Sequence, residues 1–456
     1  MARRRRKIHK TSPQIQPSPQ QGVITIERLA HGGHGVGYLD GLAVFVPRTA
    51  PGDEVEVRLV EQRRRYAFGE IVALRRASPL RVHPPCPLYD DCGGCHLQHL
   101  SYTQQLALKT AQVRDSLTRI GKLPDIPVFP TLGSPLPFAY RNKVVYHYDR
   151  QRQTLGLIDR KREGVLDIPH CRISDPHTDT VMARLRSLAA AQPLLGKTLR
   201  HVQVQVGQRT SEVLVTVIVD TALPVALQDL LWTHLRDCAT GLWMHVKTRD
   251  TPAVFHGLST AIAGAAAIHE RIGPHRFRIE PESFVQVNST QMERLYHLVR
   301  DAAQLQGQET VLDLYSGGGA IALLLAPDCA RVHAVELHRQ ATLVATEQAR
   351  LLGVDNCEFR TGKVERILFR YLAQGVKADL AVLDPPRAGC RPDALRALAM
   401  MAVPRIIYIS CSPPTLARDL RLLQDHGYRS TGVQPLDMFP QTYHIECVAT
   451  LVRSSR

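Results

Sequence analysis

From about residue 284 onward, short apolar runs alternate with longer amphipathic stretches, and this alternation restricts the possible fold most strongly. Strand candidates lie at residues 310–314, 331–335, 358–359, 379–383 and 405–410. Helical stretches, such as 340–352 and 392–400, fall between them. Strands joined through helices cannot pair as tight hairpins, so they run parallel with helices covering both faces. The expectation for residues 284–456 is an α/β domain of the Rossmann-like, doubly wound kind. Ligands of such sheets bind at the carboxyl ends of the strands, so the residues there matter first.

The first strand runs into Asp313, Leu314, Tyr315, Ser316, Gly317, Gly318 and Gly319. Glycines at a strand-to-helix turn let a ligand approach the backbone. One strand later Glu336 stands where an acid can accept both hydroxyls of a ribose. Together they suit a nucleoside cofactor, with a dinucleotide dehydrogenase and a purely structural turn as competing readings. A phosphate-loop lysine is missing, which argues against a nucleoside triphosphatase. The fourth strand ends in Asp384, Pro385, Pro386 and Arg387, a turn that proline keeps non-helical. The fifth ends in Ser410, Cys411, Ser412 and Pro413, and Glu446 opens a last strand near the C-terminus.

Upstream the pattern differs. Residues 1–21 begin with a basic tip and continue Pro/Gln/Ser-rich, the composition of a disordered tether. Residues 22–78 hold four or five short strands punctuated by Gly32, Gly33, Gly35, Gly37, Gly41 and Gly52, as in an OB-type barrel. Arg63, Arg64, Arg65, Tyr66 and Phe68 put charge beside stacking surface, which suits single-stranded nucleic acid. In residues 79–283 a helix is expected at 100–120, with Leu106, Val113, Leu117 and Ile120 as its apolar face, packing on the domain of residues 284–456. The rest reads as an antiparallel sheet whose clearest strands are 201–206 and 212–217.

The 57 Lys and Arg against 42 Asp and Glu leave a formal charge of +15, which favours a polyanionic partner. No apolar run is long enough for a membrane span, and a cytoplasmic monomer is expected. Of ten cysteines, Cys86, Cys92 and Cys95 crowd together, which points to metal binding or catalysis rather than disulfides.

Three motifs now combine: Asp384 to Arg387, Ser410 to Pro413, and Met438-Phe439-Pro440 followed by His444-Ile445-Glu446. In this order they resemble the signatures of the RNA uracil-5-methyltransferase family. The resemblance implies a TRAM domain over residues 22–78, S-adenosylmethionine as cofactor, and an RNA substrate. Ribosomal RNA, in particular 23S, is favoured over transfer RNA because the barrel and the cysteines resemble those branches. It further implies Cys411 as nucleophile, Glu446 as proton acceptor, and Gln286, Tyr315, Glu336 and Asp384 as cofactor contacts. Asn288 is the cap of the helix beginning there on the alternative reading. Cys86, Cys92, Cys95 and the distant Cys171 match the ligands of a 4Fe-4S cluster in some members. Zinc is the alternative metal, since four thiolates suit either, and His83, His96, His99 and His170 lie adjacent.

The implied roles agree with elementary chemistry. Uracil carbon 5 is a weak nucleophile until a thiolate adds at carbon 6, and the base then removes the carbon 5 proton. Cys411 therefore needs an electropositive or dipole-rich setting, while Cys390 is the rival nucleophile. Ala320, Lys363 and Ser412 depart from the family's common residues. Tyr140, Arg141, Asn142 and Lys143 are candidate RNA-backbone contacts. Two other readings compete: a non-catalytic RNA-binding factor on this fold, and an iron–sulfur oxidoreductase.

Overall fold

The computed structural model describes residues 20–273, 275–283 and 285–454; the basic tip and most of the expected tether lie outside the described residues. The described residues divide into two compact units, residues 20–83 with 99–101, and residues 84–98 with 102–454. Among the described residues no helix is long and apolar enough to cross a membrane.

The first unit contains six strands: β1 (Gln21–Thr25), β2 (Arg28–Leu29), β3 (His34–Leu39), β4 (Leu42–Pro47), β5 (Glu54–Gln62) and β6 (Tyr66–Arg76). Their order is β1-β5-β6-β4-β3-β2, and the strand beyond the expected number is the two-residue β2. Alternation drives the packing: Val55, Val57 and Leu59 are buried while their neighbours Glu54, Glu56 and Arg58 are not. Asp53 is buried at the unit's base, where Arg81 donates to both carboxylate oxygens at 2.8 Å. His34, Phe45, Tyr66 and Phe68 form one ring cluster with centroids 5.7–5.8 Å apart.

The second unit starts its regular structure with α1 (Tyr102–Ser116), which runs on as one π-helical turn to Gly121. Here the expected face needs correction. Gln105, Lys109, Gln112 and Ser116 are buried with Val113, whereas Ile120 is 51% exposed. The reason is polar: the helix lies against residues 437–441, whose hydrogen-bonding groups require partners. Val113 and Leu117 join the apolar core of the C-terminal sheet.

A seven-stranded sheet follows. Its elements are β7 (Lys143–Asp149), β8 (Thr154–Ile158), β9 (Val165–Asp167), α2 (His177–Ala191), α3 (Pro193–Thr198), β10 (Leu199–Gly207), β11 (Glu212–Val219), α4 (Val225–Leu235), β12 (Gly241–Lys247) and β13 (Gly257–Gly264). The pairing is antiparallel except between β11 and β12, which run parallel. That exception to the expected sheet arises because α4 supplies the crossover that parallel neighbours need. A hairpin, β14 (Ile268–Ile272) and β15 (His275–Ile279), leads to the C-terminal domain.

There the order is α5 (Ser289–Ala303), β16 (Thr310–Leu314), α6 (Ala320–Leu325), β17 (Arg331–Glu336), α7 (Arg339–Leu352), β18 (Cys357–Thr361), α8 (Val364–Ala373), β19 (Leu380–Leu383), α9 (Pro392–Met400), β20 (Arg405–Ser410), α10 (Pro413–Asp425), β21 (Tyr428–Leu436) and β22 (Glu446–Arg453). The sheet order is β18-β17-β16-β19-β20-β22-β21. Five strands are parallel, and the direction of winding reverses between β16 and β19, the place where such sheets open for a ligand. The sheet is not wholly parallel: β22 inserts antiparallel between β20 and β21. Asn288 caps α5, its side chain accepting from Gln291 N at 3.1 Å.

Candidate active site

The glycine turn after β16 is built for close approach. Tyr315 takes the left-handed region with φ 66°, and its N–H and that of Ser316 both donate to Val335 O. Such a conformation in a non-glycine residue costs about 1–3 kcal/mol, so its surroundings must hold it. The Tyr315 ring packs on the core cluster that includes Cys390. A Cβ on Gly317 would meet nothing within 4 Å, which leaves room beside the backbone for a ligand. At Gly319 a Cβ would lie 2.7 Å from the Phe359 ring and 2.9 Å from Ala345, so helix packing demands glycine.

Glu336 turns back toward this turn. One carboxylate oxygen accepts from Gly317 N at 3.0 Å and the other from His338 N at 2.8 Å. That pins the carboxylate while leaving lone pairs for ribose hydroxyls. Asp313 is fully buried beside it; Oδ2 accepts from Ala322 N, and Oδ1 has no partner among the described residues. Burial, with Asp384 and Glu336 nearby, pushes the Asp313 carboxyl up to about 7. Asp384 follows β19, donates its N–H to Leu314 O, and is raised to about 6 by burial. An unpaired buried carboxyl oxygen among acids, next to open backbone, fits a nucleoside ligand that carries positive charge. Asp313 was not singled out from sequence; its place two residues before the turn was the available signal.

The register of the antiparallel insertion places Cys411 and Glu446. Ser410, the last residue of β20, pairs with Cys447, so Cys411 directly after it and Glu446 directly before Cys447 come to the same carboxyl edge, and the Glu446 carboxyl acts electrostatically on the Cys411 thiol. Cys411 is partly buried just before the N-terminus of α10, and Glu446 is only 3% exposed. The setting is not simply electropositive. Burial, then Glu446, raise the Cys411 thiol to about 11; Arg387 pulls the other way, and Asp384 adds to the rise. Burial, with Asp384, likewise holds the Glu446 carboxyl well above the carboxylate range, against the pull of Arg387. Arg387 and the helix dipole are thus the features that favour a thiolate. Cys390, by contrast, is buried, its N–H donates to Asp419, and burial pushes its thiol up to about 12. This setting argues against the rival nucleophile.

Residues 101–454 match the family described as tRNA (Uracil-5-)-methyltransferase, and residues 23–72 match the TRAM domain. The chain belongs to the RNA uracil-5-methyltransferase family. A relative from Halalkalibacterium halodurans, described as an uncharacterized RNA methyltransferase, is 38% identical over 440 residues, covering 94% of this chain and 96% of its own. Another from Caldanaerobacter subterraneus is 38% identical over 443 residues, covering 94% and 97%. The tRNA (uracil-54, C5)-methyltransferase of Pyrococcus abyssi, solved with S-adenosyl-L-homocysteine, is similar in structure. Its TM-score is 0.75 at 28% identity, over 95% of this chain and 100% of that one. The chain is therefore an RNA methyltransferase dependent on S-adenosylmethionine, and the dehydrogenase reading of the glycine turn is set aside.

Gln286 lies on the segment entering α5, where its carbonyl accepts from Asn142 Nδ2 at 3.1 Å. Asn142 is buried and also donates to Ser289 Oγ, Tyr140 is buried, and Arg141 Nε donates to Lys143 O. Lys143 Nζ donates to Ser283 O. These contacts tie the segment entering β7 to Ser283, Gln286 and Ser289, so the side chains of Asn142 and Lys143 already have partners in the chain.

Cys86, Cys92, Cys95 and Cys171 are free thiols lining one recess with Leu88, Tyr89, Leu157, Ile168 and Ile173. Gly94 N donates to Cys92 Sγ at 3.3 Å. Burial raises the thiols of Cys86 and Cys92, and that of Cys95 to about 12. Among the described residues no group of three or more His, Cys, Asp or Glu forms a metal-ion site as arranged. Of the adjacent histidines, His99 contacts Thr49 O within the first unit and His170 pairs with Asp179 at 2.5 Å.

Proposed function

We propose that this protein methylates carbon 5 of one uridine in large-subunit ribosomal RNA, with Cys411 as nucleophile and Glu446 as base. The observation that supports the chemistry is the arrival of these two residues at one carboxyl edge of the sheet, with Asp384 and Arg387 acting on both. When bound, S-adenosylmethionine supplies a methyl group on a positively charged sulfur. Gln286, Tyr315, Glu336 and Asp384 are the residues we assign to its pocket. Asp313 and Asp384 add negative charge that a cationic sulfur compensates.

The Cys411 thiolate adds to carbon 6 of the uracil; an S–C6 bond forms and the C5=C6 electron pair moves toward the carbonyl oxygen. Carbon 5, now nucleophilic, would then take the methyl group, the sulfur of S-adenosylmethionine keeping the electron pair of the bond that breaks and leaving as a neutral thioether. Glu446 takes the carbon 5 proton, the C5=C6 pair re-forms, and the S–C6 bond breaks to return the thiolate. The base has to leave its stack to reach Cys411.

Transfer RNA is the second reading. It is favoured by the likeness to an enzyme that acts on tRNA, which covers 95% of this chain, whereas the ribosomal expectation rested on the barrel and the cysteines. Labelled-methyl transfer to deproteinised 23S RNA and to unmodified tRNA separates them. Methylation of 23S RNA alone is expected; label confined to tRNA would replace the ribosomal assignment.

We further propose that Cys86, Cys92, Cys95 and Cys171 hold a 4Fe-4S cluster, with zinc as the alternative. Four free thiols on one largely apolar recess and a backbone N–H directed at sulfur support it. Methyl transfer needs no electron, so the site would staple residue 171 to the 86–95 segment. Anaerobically purified protein is expected to be brown with about four iron atoms per chain. Cys171→Ala should lose them and Cys238→Ala keep them; colourless protein with one zinc would overturn the assignment.

A further inference from the structure

We infer that Lys109 and Gln105 of α1 are positioning residues for the methylation reaction, holding the turn at residues 437–441 that sets the place of Glu446. The inference rests on the assignment of Glu446 as the base. Leu436 is the last residue of β21 and the direct partner of Glu446, so the chain leaving Leu436 starts the loop that ends on the base. Glu446 can be no better placed than this loop.

The loop is gripped from outside the catalytic sheet. Lys109 Nζ donates to Asp437 Oδ1 at 2.5 Å and to Phe439 O at 3.2 Å. The Lys109 side chain is 1% exposed and that of Asp437 0%. Tyr102 OH donates to the other Asp437 oxygen at 2.9 Å. Gln105 forms a two-way bridge with Gln441: its Nε2 donates to Gln441 Oε1 at 2.9 Å, and Gln441 N donates to its Oε1 at 3.1 Å. Gln441 sits at φ 67°, a conformation that persists only when its neighbours over-determine it. His96 N and Leu97 N, directly after Cys95, donate to the carbonyl of the same residue, and Tyr140 OH donates to Pro440 O.

A lysine buried to this extent is a poor choice for stability alone. Replacing a buried ion pair with apolar residues of similar volume is often neutral or stabilising. What the pair adds is direction: a charged hydrogen bond fixes Asp437 against α1 where an apolar contact would let the loop slide.

The test follows the covalent adduct between protein and a target-site RNA, separating its formation from its resolution. Lys109→Met is expected to form adduct at the wild-type rate but resolve it about a hundredfold more slowly, the cost of misplacing a catalytic group by about 1 Å. Methylated adduct should therefore accumulate, with RNA affinity unchanged. Gln105→Leu should show the same split more weakly. If Lys109→Met fails to fold, the paired Lys109→Met/Asp437→Leu variant restores a neutral interior, and it too should accumulate adduct. Wild-type resolution in a folded variant overturns the inference, as does an equal fall of formation and resolution alongside a lowered melting temperature. Glu446→Gln is the control: failure to accumulate adduct there overturns the base assignment itself, and the inference with it.

Discussion

Cys411→Ala is expected to abolish methyl transfer and to form no covalent complex, while still binding RNA and S-adenosylmethionine. The loss should be roughly 10⁴–10⁶-fold, the scale seen when the nucleophile of a covalent mechanism is removed. Glu446→Gln should lose about 10²–10⁴-fold in turnover, as for a missing general base, yet accumulate a methylated protein–RNA adduct that survives denaturation. The difference follows from the order of events. Bonding to carbon 6 needs only the thiolate, whereas release needs the carbon 5 proton removed. By the same logic 5-fluorouridine at the target position should trap the wild type, because fluorine does not leave as a proton. Cys390→Ala should turn over nearly as wild type, since Cys390 is buried behind Tyr315 and Asp419. Gel analysis after denaturation reads all four. An adduct that persists in Cys411→Ala and disappears in Cys390→Ala would reverse the assignment of the nucleophile.

The parallel part of the sheet was legible because helices and strands carry apolar residues at different periods, and the glycine turn and Glu336 lie close in sequence. What could not be read was the insertion of β22 between β20 and β21, because strand pairing over such separations leaves no local trace. That insertion brings two motifs more than thirty residues apart to one sheet edge. For α1 the pattern of Leu106, Val113, Leu117 and Ile120 located the helix and, in Val113 and Leu117, the apolar part of its buried face, but not the polar part. Periodicity arguments treat glutamine and lysine as solvent-facing, and they fail where a helix must satisfy polar groups of a distant loop. Lys109 and Asp437 were therefore not recognised. The context of Cys411 was legible from Ser410 to Pro413, but its electrostatics were not, since Glu446 and Asp384 arrive from other strands. Tertiary proximity decides a pKa, and only pairing reveals it.

That electrostatic setting leads to a steep pH dependence. With the thiol raised to about 11, the thiolate is a minor species at neutral pH, and its share grows about tenfold per pH unit below that value. Single-turnover adduct formation in the free enzyme should therefore rise about a hundredfold between pH 7 and pH 9. The sign of each neighbour's contribution can be tested separately. Arg387 favours the thiolate, so Arg387→Ala should move the profile toward higher pH and slow adduct formation at pH 8. Glu446 disfavours it, so Glu446→Gln, which cannot place a charge opposite the thiol, should move the profile toward lower pH. The opposed pair thus exchanges one negative charge during the cycle. Once sulfur is bound to carbon 6 it is a neutral thioether, and the carboxylate that must accept the proton no longer faces a thiolate. Stopped-time adduct assays across pH 6 to 9 on the wild type and both variants measure this. A flat wild-type profile, or shifts of the two variants in the same direction, would show that Cys411 and Glu446 do not share that charge.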